Sequence, residues 1–185
     1  MSVATKVLIG VAAGGLAFVI VGIMAAVAIP VFLNQRAKAV AAAGTLSLPG
    51  SLGSRHQLTD PANEARMSQV AAQMPKGTKV AVYGATPTDP SLIVYIYQAH
   101  LSQVDQSSFL DGFEGAANSD AAGIHAVDPG PLGGEARCQS SAKDELTACM
   151  FVGPAGVVGV IVRETGVGAE QDALSIRAQV EHRKA

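Results

Sequence analysis

Residues 136–152, ARCQSSAKDELTACMFV, carry the pattern that decides how this chain is read. Ala136–Ser140 and Leu146–Val152 flank Lys143-Asp144, and the pattern predicts an antiparallel hairpin with its turn there. Cys138 and Cys149 lie equally far from that turn, so pairing sets one opposite the other. Opposed residues in a narrow antiparallel pair bring their Cβ atoms within reach of a disulfide. These are the only two cysteines. Two buried free thiols are the alternative. Zinc is disfavoured by the lack of CxxC spacing and of a nearby His. A redox pair would sit closer together and at a helix start. The register favours a structural bridge, which persists outside the cytoplasm, so the domain is expected to face outward.

Further strands and helices are expected on both sides of this hairpin. Val157–Arg163 follows it, apolar on both faces, as a central strand should be. Ala169–His182 is expected to be the last helix. Glu170 and Asp172 lie near its start, and Arg177, His182, Arg183 and Lys184 near its end, matching the helix dipole. Upstream, Lys79–Ala85 and Leu92–Ala99 read as strands around the turn Thr86–Pro90. Asp60-Pro61 starts a helix that carries Met67, Val70, Ala71 and Met74 and stops at Pro75. Ser102 and Asp105 form a capping box for a helix bearing Phe109, Leu110 and Phe113. A short strand is expected at Ile124–Val127.

The N-terminal part is of different material. Val7–Leu33 runs 27 residues without a charge. At about 1.5 Å per residue a helix of that length exceeds the roughly 30 Å hydrocarbon core of a bilayer. A secretory signal is shorter, so a retained membrane anchor is expected. The expected fold class is therefore α+β: an N-terminal transmembrane helix followed by a mainly antiparallel sheet with packed helices. Residues 1–43 are read as the anchor and its extension, 44–58 as a linker rich in Pro, Gly and Ser, and 59–185 as an extracytoplasmic domain. Gly10 and Gly14 make a GxxxG pair, a weak signal for lateral association of the anchor. Lys6 against Arg36 and Lys38 leaves the charge rule for orientation nearly tied, so the cysteines set the expected sidedness.

Charge and motifs exclude several classes. All fifteen Asp and Glu lie beyond residue 44, and signs are interspersed without a basic stripe. With no Trp and few aromatics, nucleic-acid binding has no support. His56, His100, His125 and His182 are scattered, without metal-ligand spacing. No GxSxG, P-loop or GxGxxG occurs. Asn118–Gly123 imitates half of a calcium loop, but Pro129 stands where the bidentate Glu belongs. Asp111 and Glu114 share a helix face, as solvated acids do. Tyr83, Tyr95 and Tyr97 fall on adjacent strands, where they pack or line a face. No enzyme activity, cofactor or metal is expected.

Two resemblances extend this reading. Ala28–Ala39 (AIPVFLNQRAKA) resembles the membrane-exit part of the type IV pilin N-terminal helix. In that family the helix anchors the subunit and then packs in a filament core. Counting back from Pro30, no basic leader is expected before the helix, and Ala13 falls where the family carries Glu. Second, Asp128–Gly134, Arg137-Cys138, Cys149 and Val157–Arg163 are similar to actinobacterial single-pass membrane-anchored proteins of unknown function, over residues 79–184. That resemblance implies an outward domain and a disulfide, and supplies no function. The expected function is a membrane-anchored extracytoplasmic domain with a binding or envelope-structural role. The lipid bilayer is its first partner, and itself or other membrane proteins follow through the anchor. The alternative is a pilin-like or pseudopilin subunit.

Overall fold

A computed structural model describes residues 44–99, 101–116 and 122–182. Ten strands occur in it: β1 (Thr45–Leu46), β2 (Ser51–Leu52), β3 (Arg55–Gln57), β4 (Lys79–Thr86), β5 (Asp89–Gln98), β6 (Ala122–Ala126), β7 (Glu135–Ser141), β8 (Leu146–Gly153), β9 (Gly156–Val162) and β10 (Glu181–His182). Three helices accompany them: α1 (Pro61–Ala71), α2 (Gln103–Ala116) and α3 (Val167–Val180). Eight strands form one sheet in the order β2-β3-β4-β5-β9-β8-β7-β6, with every neighbouring pair antiparallel. β1 and β10 make a separate two-stranded ribbon.

Alternation along the strands splits the apolar residues between two faces. Ile93 and Tyr95 of β5 and Val157 and Ile161 of β9 join Phe109, Leu110 and Phe113 of α2 and Val70 of α1. Leu92, Val94 and Ile96 of β5 and Val158, Val160 and Val162 of β9 join Ala169, Ala173, Ile176 and Val180 of α3. The sheet is thus covered on both sides. That explains why β9 is unbroken in apolar character and buried along its whole length. Each Val, Leu or Ile so buried contributes roughly 1.5–3 kcal/mol.

The expected fold class is corrected. Its N-terminal transmembrane helix falls on Val7–Leu33, outside the described residues. Among those described, no helix is long and apolar enough to cross a membrane. The longest, α2 and α3, have 14 residues each, against the ~20 a crossing needs. Gly10 and Gly14 also lie outside the described residues.

The linker expected at 44–58 is corrected too. Its Pro, Gly and Ser make turns inside the domain. Gly53, at φ 59°, turns β2 onto β3, and Leu46 and Leu52 are buried in the core beneath α3. Thr45 pairs with His182, and the Ser47 amide donates to the Val180 carbonyl at 3.0 Å. The last helix accordingly stops at Val180, two residues early, and Glu181-His182 become a strand.

The capping signals appear where local chemistry demands them. The Asp60 carboxylate accepts from the Asn63 amide at 3.1 Å, and Pro61 follows at the first helical position. That amide holds the Asp60 carboxyl below its ordinary value. Ser102 and Asp105 cap one another reciprocally, amide to side chain in both directions.

Candidate functional site

A groove of about 340 Å³ opens between α1 and the N-terminal half of β4. Its location follows from where β3 ends. β3 pairs with β4 only at His56–Gly84 and Gln57–Tyr83. The Leu58 amide still donates to the Val82 carbonyl at 2.8 Å, and then the Asp60 cap turns the chain into α1. β4 continues past that departure to Lys79 with no strand on its outer side among the described residues.

Leu58, Met67, Ala71, Val80 and Val82 give the groove apolar walls, and Gln57, Thr59, Glu64 and Ser68 a polar rim. Ala81 also lines it, although its side chain is buried on the opposite face of the sheet. What Ala81 contributes is therefore main chain. The groove presents apolar side chains, backbone edge and one carboxylate, Glu64. That combination can bind.

The largest buried polar side chain serves the fold. Arg177 is fully buried on α3. It donates Nε to Glu181 Oε2 at 3.0 Å, one terminal nitrogen to the Pro129 carbonyl at 2.8 Å and the other to the Gly133 carbonyl at 2.9 Å. Its guanidinium lies 5.2 Å from the Phe151 ring centroid. The Asp128–Gly134 loop is thereby fastened to α3. Gly134, at φ 86°, sits so near the Val152 carbonyl that a Cβ would be 2.3 Å from its oxygen.

The sequence-predicted residues fall as follows. Cys138 pairs with Cys149 across β7 and β8, bridged by a disulfide and both buried. Tyr83 lies in the core beneath α3, whereas Tyr95 and Tyr97 lie on the α1–α2 face, so the three share no surface. Burial pushes the Tyr83 hydroxyl up to about 12 and raises Tyr95 and Tyr97 as well. Glu114 accepts from Arg137 at 2.9 Å, and Asp111 is exposed. His125 meets Glu170 at 2.9 Å and His182 meets Ser47 at 3.2 Å, while His56 is exposed and His100 lies outside the described residues. Among the described residues no three His, Cys, Asp or Glu side chains gather into a metal-sized cluster.

Comparison with protein-family models, with curated proteins and with solved structures finds no match to this chain.

Proposed function

We propose that this chain is an outward-facing binding or envelope-structural domain, held at a membrane by its uncharged run 7–33 and without enzymatic activity of its own. The observation that carries the placement is the buried cross-strand disulfide, a bond that persists in oxidising compartments. Binding is supported by the groove, an apolar trough beside an open strand edge. The structural role is supported by polar side chains spent on internal hydrogen bonds, Arg177 foremost.

Sidedness is tested with an added thiol, because the buried native bridge is closed to impermeant reagents. Val167, 70% exposed, becomes Cys. An impermeant maleimide should label Val167→Cys in intact cells, and the protein should stay with membranes after a high-pH wash. Labelling only after permeabilisation overturns the outward placement. The filament reading rests on AIPVFLNQRAKA alone; appearance of the chain in sheared supernatants would favour it over membrane retention.

A further inference from the structure

We infer that the groove between α1 and β4 takes an extended peptide segment, which adds to the sheet through the main chain of Val80. The inference deepens the binding reading above and rests on it for its biological sense.

The geometry runs from one hydrogen bond. The Val82 carbonyl accepts from the Leu58 amide, so Val82 turns its main chain toward the side of β3. In an antiparallel strand the N–H and C=O of a residue point to the same side, and residues two apart share that side. Val80 therefore aims its N–H and C=O outward, away from β5. Ala81 and Tyr83 aim theirs inward, at Val94 and Leu92. Among the described residues neither Val80 group has a hydrogen-bond partner, and neither does the Val82 N–H. An unpaired strand edge is a template for another strand.

The surroundings fit that occupant. β3 stops at Gln57, Leu58 makes the last bond to β4, and the groove occupies the place where a further strand would lie. Val80 and Val82 belong with the apolar residues of the α1–α2 face, so a peptide residue opposite Val80 projects its side chain onto the same face. There it meets Met67, Ala71 and Val80, which are only partly buried in the free domain. Glu64 on the rim favours a basic group beside that residue. A segment with one apolar residue flanked by a basic one satisfies the edge, the pocket and the charge together.

The test uses the full chain in detergent micelles. In the free protein the amides of Val80 and Val82 should exchange with deuterium at least about tenfold faster than those of Ala81 and Tyr83. The chain is then panned against a random-hexapeptide display library. Enriched peptides should carry the basic–apolar pattern and slow exchange at Val80 and Val82 by about tenfold or more. Two substitutions should each weaken binding at least about tenfold: Val80→Pro, which removes the edge N–H, and Ala71→Trp, which fills the groove. Ala71→Trp leaves the strand untouched, so it decides should Val80→Pro fail to fold. No enriched peptide, or peptides that leave the two amides unprotected or ignore Ala71→Trp, would overturn the inference. A lipid or detergent tail in the groove would also leave those amides exposed and count against it. Such a failure is separable from failure of the outward placement, which the maleimide experiment reads in cells.

Discussion

Arg177 Nε lies 3.0 Å from Glu181 Oε2, one helical turn away, with both side chains shut off from solvent. The guanidinium also serves two carbonyls of the Asp128–Gly134 loop, so three groups depend on it. Arg177→Met leaves a buried carboxylate and two carbonyls without their donor. Removing one partner of a buried pair costs about 3–5 kcal/mol. The expected result is a fall of that size in unfolding free energy, read from urea titrations. The double variant Arg177→Met/Glu181→Leu should recover part of the loss, because the orphaned charge is gone while the carbonyls remain unpaired. Full recovery would mean that the loop carbonyls need no donor.

The disulfide closes a short loop, 11 residues in separation. In the chain-entropy model it stabilises the fold by about 2–3 kcal/mol. Cys138→Ala/Cys149→Ala should lose that much, seen as a lower urea midpoint. Both cysteines are buried, so a reductant reaches them only when the sheet opens. Reduction under native conditions should therefore track the global unfolding rate. Fast reduction of a folded sample would show that β7 and β8 separate locally.

The Tyr95 ring fills the space beside Gly159 on the neighbouring strand: a Cβ built on Gly159 would fall 1.7 Å from the ring. The ring is buried in the α1–α2 core and has nowhere cheap to go. Gly159→Ala should cost about 1–3 kcal/mol by overpacking. In a Tyr95→Leu background the same change should cost far less. A double-mutant cycle that returns a coupling below about 0.5 kcal/mol would show the ring shifting freely.

Much of the sheet could be read from residue pattern because its causes are local. Cys138 and Cys149 are equidistant from one turn, and Val157–Val162 has no polar face to offer water. Asp60 before Pro61, and Ser102 three before Asp105, carry their caps within one turn. The errors have non-local causes. Residues 45–57 have the composition of a linker, and only distant partners make them strands: His182 for Thr45, and α3 for Leu46 and Leu52. Arg177 reads as a dipole-compensating cation until the fold brings Pro129 and Gly133 to it. The groove carries no motif at all. It arises because β3 leaves β4 at Leu58, a matter of relative strand length that no residue type announces.

Tyr83 offers the sharpest check on residues 45–57 as part of the fold. Its hydroxyl donates to the Pro49 carbonyl at 2.9 Å, and the residue is fully buried. Burial pushes its ionisation from the ordinary 10.0 up to about 12. Between those values the unfolded chain has released the proton and the folded chain still holds it. The unfolded state then binds fewer protons, so stability falls as pH rises through that window. Tyr95 and Tyr97 shift in the same direction, so the informative quantity is a difference between proteins. Tyr83→Phe should cost about 1 kcal/mol below pH 10, where the hydrogen bond to Pro49 is lost. Its urea midpoint should then decline less than that of the parent as pH approaches 12, narrowing the gap. Parallel pH profiles for the two proteins would mean that the Tyr83 hydroxyl is open to water, and that the Pro49 turn does not seal this edge of the core.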